Sequence, residues 1–318
     1  MGLESEMKLP VINFSEENLK PGTSGWASAC KDVRRALEEH GCFEAKFDRL
    51  PGQLHDAVFA TAEELFQLPT EVKMRNTSDM PFFGYFGQYK TVPLYESLAI
   101  DHPTSLDGTQ SYIFYGISST LDFISCMDIS ESAQRYSEVV AELHRTVMRM
   151  LFESYGVGNC YDYYIKITRY LLRYLRYSEP KMGESNAGLL PHTDKTFLSI
   201  LHQGDISGLQ VQLKDGQWVA PPPSPTSFVV MAGDALMAWS NDRIPSCNHQ
   251  VIMKEKGIRY SLGMFTFMDG IIHILEEVGD ETHPIKYKSF HHFELLQFMN
   301  SNLKTNPNMC FIKAFCGV

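Results

Sequence analysis

From Tyr161 onward the chain breaks into short runs of alternating apolar and polar residues separated by turn signals, and this pattern limits the possible folds more than any other feature. Residues 196–201, 208–213, 218–220, 227–231, 249–253 and 259–268 each read as a strand. Lys214-Asp215-Gly216-Gln217 supplies a hairpin between the second and third, because Asp-Gly accepts the positive φ of a type I′ turn. Six or more short strands in series predict a two-sheet sandwich or jelly roll.

The first half is helical instead. Residues 24–40 are periodic and stop at Gly41; residues 52–67 place Leu54, Val58, Ala62 and Leu65 on one face. Residues 130–155 carry Val140, Leu143, Val147, Met150 and Leu151 at helical spacing, which reads as core. A short strand is expected at 9–14, a helix from about Phe290, and a polar loop at 301–308. Residues 80–120 are rich in Gly, Pro, Tyr and Phe and too long for a simple connection, so they form either a lid or pocket wall, or a surface loop tied down by aromatics. Helices before strands, rather than alternating with them, predict a sheet core supported by helices.

Composition narrows the function. With 44% hydrophobic and 21% charged residues the chain is globular, and a net charge of −10 disfavours binding to nucleic acid. Seven scattered cysteines form no C-x-x-C pair and read as reduced thiols. The N-terminus has no basic-then-apolar leader, and no run of about 18 apolar residues occurs, so a cytoplasmic protein without a membrane anchor is expected.

Three residues carry the chemistry. His192 and Asp194 stand at i and i+2, which in an extended strand is one face, and His249 opens another strand 57 residues later. Two histidines and one carboxylate form the facial triad of non-haem Fe(II) oxygenases, with three coordination positions open. Alone, His-x-Asp is a common chance pair, and the other histidines, including His202 and His273, read as structural. Arg259 and Ser261 raise the signal. They share a strand face, and a guanidinium beside a hydroxyl suits a carboxylate. A solvated edge-strand arginine is the plain alternative. For Arg259 to face the same interior as His249, the hairpin through residues 254–257 must have an odd-length loop or contain a bulge, and Gly257 makes either feasible.

On His192-Thr193-Asp194, His249 and Arg259-Tyr260-Ser261, the chain resembles the plant Fe(II)/2-oxoglutarate-dependent dioxygenases of specialised metabolism. Leu9-Pro10-Val11-Ile12, residues 36–45, Gly233-Asp234 and residues 237–241 extend the likeness over nearly the whole length. Within that branch it is similar to the group containing the glucosinolate side-chain dioxygenases and deoxypodophyllotoxin synthase. The resemblance implies a mainly β fold with flanking helices, a double-stranded β-helix of the jelly-roll, cupin-like type. It implies one domain over 1–318, with 1–160 as helical support and lid, 161–285 as jelly-roll core and 286–318 as helical tail.

It also implies that His192, Asp194 and His249 hold Fe(II), that Arg259 and Ser261 hold the distal carboxylate of 2-oxoglutarate, and that Tyr177 contacts this co-substrate. Ascorbate is the implied reductant. The implied reaction couples O2 and 2-oxoglutarate decarboxylation to hydroxylation, desaturation, cyclisation or demethylation of a hydrophobic plant metabolite; a monomer is the default expectation, since nothing in the sequence specifies an oligomer. Strand phase and the irregular segment nominate Phe82, Phe83, Tyr85, Tyr95, Phe265 and Phe267 as pocket wall, with core packing as the alternative for each. Three positions depart from the family pattern: Leu175 stands for the usual Asn, Gln250 for the Arg after the distal His, and Pro245-Ser246-Cys247 for His-Ser-Pro. Asp194 disfavours halogenation, which needs a small residue there. A silent binding protein on the same fold, and a metal-dependent hydrolase, which leaves Arg259 and Ser261 without a task, remain the competing readings.

Overall fold

The computed structural model describes residues 8–15, 19–111, 123–282, 284–307 and 309–318; residues 112–120 of the irregular segment lie outside them. In chain order the strands are β1 (Val11–Asn13), β2 (Cys42–Lys46), β3 (Tyr95–Asp101), β4 (Thr168–Tyr177), β5 (Ala187–His192), β6 (Leu198–Gln203), β7 (Leu209–Gln212), β8 (Trp218–Val219), β9 (Ser227–Ala232), β10 (His249–Ile252), β11 (Arg259–Met268), β12 (Ile271–Ile272) and β13 (Phe290–His291). A major sheet runs β1-β2-β9-β6-β11-β4-β3, and a minor sheet runs β5-β10-β7-β8.

The two sheets face each other. Leu209, Val211 and Val251 of the minor sheet share one buried cluster with Leu175, Leu201, Val229 and Met231 of the major sheet. The opposite face of the major sheet, with Leu172, Tyr174, Ile200, Val230, Leu262 and Met264, packs against helices Ser24–His40, Gly52–Gln67 and Phe123–Ser154 through residues such as Leu37, Val58 and Val140. Each fully buried Leu or Val stabilises by about 1.5–3 kcal/mol. The first helix begins at a Thr23 side-chain cap on Trp26 N–H and ends at Gly41, whose φ of 70° needs glycine. This is a jelly roll with flanking helices.

Several local expectations change. The chain from β10 to β11 is not a hairpin: the two strands belong to opposite sheets, and residues 253–258 carry the chain across the sandwich. His249 and Arg259 therefore face one interior from opposite walls, and loop parity is irrelevant. At the β7–β8 turn Gly216 donates to Leu213 O at 2.9 Å and is the residue with positive φ, so Lys214-Asp215 are the corners of a type I turn followed by a bulge at Gly216, not a type I′ turn. The irregular segment contains β3, which pairs with β4 over seven residues. Residues 1–160 thus supply β1, β2 and β3 to the major sheet besides the helical support. After the helix His292–Asn302, a further short helix, Phe311–Cys316, closes the chain. Cys30, Cys42, Cys160, Cys247, Cys310 and Cys316 are free thiols. Among the described residues no helix is long and apolar enough to cross a membrane.

Burial lowers the imidazole pKa of His144 to about 3, His202 to about 3 and His292 to about 4, from an ordinary 6.5. The unfolded chain takes up these protons near pH 6.5 and the folded one does not, so stability is full above that pH and declines as pH falls toward 4. At pH 5 each histidine costs about 2 kcal/mol. Urea unfolding of the metal-free protein should show a loss of several kcal/mol between pH 7 and pH 5; equal free energies at both would contradict this.

Candidate active site

β5 and β10 are neighbours, and their register sets His192 opposite His249, with ring centroids 4.2 Å apart. Each ring is tied at Nδ1 to the carbonyl two residues back, Leu190 O at 2.8 Å and Cys247 O at 3.1 Å. Donation from Nδ1 leaves the lone pair on Nε2, the tautomer a metal ligand needs. Asp194 lies two residues past the end of β5, its Oδ1 3.8 Å from His192 Nε2 and 3.9 Å from His249 Nε2. One ligand atom from each of the three lies within 4.8 Å of the others, so the set can hold a single metal ion.

Electrostatics favour the ligating forms. Burial, and then the neighbouring His249, lowers the His192 pKa to about 4, which keeps the ring neutral near pH 7. Burial opposes the charge on Asp194, yet the two imidazoles and the Ser199 hydroxyl, which donates to Oδ2 at 2.6 Å, hold the carboxyl below its ordinary value. The turn carrying Asp194 is braced from behind. Asp234 N–H donates to Asp194 O at 2.8 Å, and Lys195 Nζ donates to Asp234 Oδ2 at 2.6 Å. A Cβ on Gly233 would sit 2.1 Å from Thr196 O, so Gly233-Asp234 is required for the chain to pass this close.

The opposite wall is built by β11 and β4. Register places Arg259 across from Tyr177, and Ser261 across from both Leu175 and Gln203. Arg259 is 1% exposed. Its Nη1 donates to Ser261 Oγ at 3.0 Å, its Nη2 to Gln203 Oε1 at 2.9 Å, and its guanidinium lies 5.0 Å over the Tyr177 ring. Its Nε has no partner, and among the described residues no carboxylate pairs with it. Burial lowers its pKa, with Tyr177 acting in the opposite direction. A Cβ on Gly208 would lie 2.9 Å from Arg259 Cδ, so that glycine makes room for the side chain.

His192, Asp194, His249, Arg259, Ser261 and Tyr177 all line one cavity of about 920 Å³. Of the nominated aromatics, Phe82, Tyr85, Tyr95, Phe265 and Phe267 line it too. Phe83 does not: it is 2% exposed and packs behind the wall on Phe267 and Phe293, at 4.9 and 6.0 Å between ring centroids. The backbone turns at Phe82, with φ 68°, and so sends these two adjacent rings to different sides. Gln250 points away from the ligands and donates to Gln210 Oε1 at 2.9 Å, whereas Leu175 is an apolar floor residue. Ser199, Gln203, Gly208 and Arg173 were not singled out by sequence. Only the phase of Ser199 and Gln203 relative to Ser261 on the adjoining strand, and of Arg173 relative to Tyr177 on its own strand, carried a signal.

The profile of the 2OG-Fe(II) oxygenase superfamily matches residues 166–267, and that of the N-terminal region of non-haem dioxygenases in morphine synthesis matches residues 9–109. A relative from Arabidopsis thaliana, "Probable 2-oxoglutarate-dependent dioxygenase AOP1.2", is 40% identical over 301 residues, 92% of this chain and 91% of its own. This chain belongs to the 2-oxoglutarate/Fe(II) oxygenases. The oxygenase is also similar to the crystal structure of a dioxygenase for auxin oxidation from rice, at TM-score 0.76 and 25% identity, covering 93% of this chain and 96% of that one. The Arabidopsis thaliana dioxygenase for auxin oxidation 1, solved with 2-oxoglutarate, matches at TM-score 0.74 and 27% identity over 87% of this chain and all of that one.

The residues of the oxygenase fit the family's iron and co-substrate. The donor set is two imidazoles and one carboxylate, and the buried Arg259 has an open Nε and no anion of its own. Replacement of Ser199 by Ala removes the hydrogen bond that orients Asp194. Ser199→Ala is expected to weaken Mn(II) binding about 10–100-fold by calorimetry, with the circular dichroism spectrum unchanged; unaltered affinity would remove Ser199 from the metal site.

Proposed function

We propose that this protein is an Fe(II)- and 2-oxoglutarate-dependent oxygenase acting on a largely apolar plant metabolite, with His192, Asp194 and His249 as iron ligands and Arg259 and Ser261 as the clamp for the distal carboxylate of 2-oxoglutarate. The observation that carries the reading is Arg259: a guanidinium sealed in the same cavity as the triad, without a counter-ion, where only an anionic ligand offsets its desolvation. Tyr177 supports the clamp through its ring beneath the guanidinium.

Iron and 2-oxoglutarate together supply the oxidising chemistry, which couples O2 to release of succinate and CO2 and to removal of hydrogen from a substrate C–H bond. The chain's own part is placement and exclusion. The Leu190 and Cys247 carbonyls hold the imidazole tautomers, Ser199 holds the carboxylate, and Gln203 and Ser261 aim the guanidinium. Phe82, Tyr85, Tyr95, Phe265 and Phe267 form an apolar wall that keeps water from the reacting carbon and presents one C–H bond to the metal. Hydroxylation, desaturation, cyclisation and demethylation are alternative outcomes of that same step.

The 318 residues act as one domain in this reading, since β1, β2 and β3 complete the sheet that carries Arg259. The enzyme works as a cytoplasmic monomer, with ascorbate as the reductant that keeps iron ferrous. Anaerobic Fe(II) plus 2-oxoglutarate should give a weak visible charge-transfer band that His249→Ala abolishes. Admission of O2 with a plant metabolite extract should then yield succinate. No band, and no succinate with any extract, would overturn the reading.

A further inference from the structure

The cavity contains a second arginine that neither iron nor 2-oxoglutarate employs. Arg173 lies on β4 in phase with Leu175 and Tyr177 and lines the same cavity. It is 9% exposed. Its Nη1 donates to Ser97 Oγ at 2.6 Å and its Nη2 to the Phe82 carbonyl, both neutral partners. Among the described residues no carboxylate lies within ion-pair distance of it. The acids on the adjoining strand are already engaged: Glu96 is held by Lys73 at 2.7 Å and by Gln88, and Asp101 by Arg169. The groups that act on Arg173 electrostatically are the Tyr95 phenol and Asp194, and Asp194 faces the two histidines.

Charge balance in the filled site leaves this cation over. Fe(II) and Arg259 are offset by Asp194 and the two carboxylates of 2-oxoglutarate, so Arg173 is one surplus positive charge in the cavity. The two arginines enter the cavity at separate levels of the major sheet. Arg259 pairs with Tyr177 and Gly263 with Arg173, four residues along the same ladder, which is about 13 Å. A neutral substrate would seal Arg173 in without compensation, at a desolvation cost that a monoanion removes.

We propose that the substrate of this oxygenase carries one monoanionic group, of the carboxylate or sulfonate type, that docks on Arg173 while its apolar body lies against Phe82, Phe265 and Phe267. The proposal rests on the Fe(II)/2-oxoglutarate reading of the cavity. Arg173 would then set which carbon faces the metal, because an anchored anion at one end of the cavity fixes the reach of the other end.

The test is titration of the anaerobic Fe(II)·2-oxoglutarate enzyme with 3-phenylpropanoate, 4-phenylbutanoate and decanoate, each beside its primary amide and its matched sulfonate, read by perturbation of the charge-transfer band and by calorimetry. At least one acid or sulfonate should bind about tenfold or more tightly than its amide, the gain expected of hydrogen bonds to a charged group. Arg173→Gln should abolish that preference while the band with 2-oxoglutarate alone persists, and Arg173→Lys should retain part of it. The order of acid and sulfonate identifies the anion. Amides that bind as well as every acid and sulfonate, or no binding by any panel member, or a preference that survives Arg173→Gln, each overturns the proposal; the wild-type comparison decides alone if the variant does not fold. A missing band before any panel compound is added overturns the iron reading itself, and this proposal with it.

Discussion

A guanidinium buried between two sheets with no anion beside it is the constraint around which this molecule is arranged. Arg259 is tolerable there because Ser261, Gln203 and the Tyr177 ring share its donors and its face, and because Gly208 leaves room for its methylene. None of these neutralises it. Only an anionic ligand would offset such a charge, and the three side chains that could hold a metal ion face the same cavity.

The sandwich supplies the burial on which this depends. The outer face of the major sheet is covered by three long helices, so β4, β6, β9 and β11 are buried on both faces and present two kinds of side chain in alternation. Leu172 and Tyr174 pack against helices, whereas Arg173, Leu175 and Tyr177 line the cavity. The minor sheet brings His192 and His249 side by side by register alone. The minor sheet carries His192 and His249, with Asp194 just past the end of β5, the major sheet carries Arg173 and Arg259, and the cavity lies between them.

That His192, Asp194 and His249 come together was legible because His-x-Asp near a strand end and a histidine on a second strand form a local pattern with a chemical reason. Arg259 and Ser261 were legible by their shared parity. β4 was not, since Leu-Leu-Arg-Tyr-Leu-Arg-Tyr is apolar or aromatic toward both faces and shows no clean alternation; Arg173 was hidden with it. The path from β10 to β11 was misread as a hairpin because six intervening residues suit either a turn or a crossing between sheets. Phe82 and Phe83 looked equivalent until the positive φ at Phe82 separated them. Gly233-Asp234 was visible as a likeness, but its task, a close pass under Thr196 that braces Asp194, is a tertiary fact.

The central claim is that Arg259 exists to bind the distal carboxylate of the co-substrate. Its most direct measurement compares anaerobic binding of 2-oxoglutarate with that of 2-oxobutanoate, which keeps the keto acid and lacks the distal carboxylate, to the Fe(II) enzyme and to its Arg259→Met variant. The account predicts that the native enzyme favours 2-oxoglutarate by about 30-fold or more and that the variant shows almost no preference. Equal affinity of the native enzyme for the two acids, or a preference that survives the loss of Arg259, would contradict it.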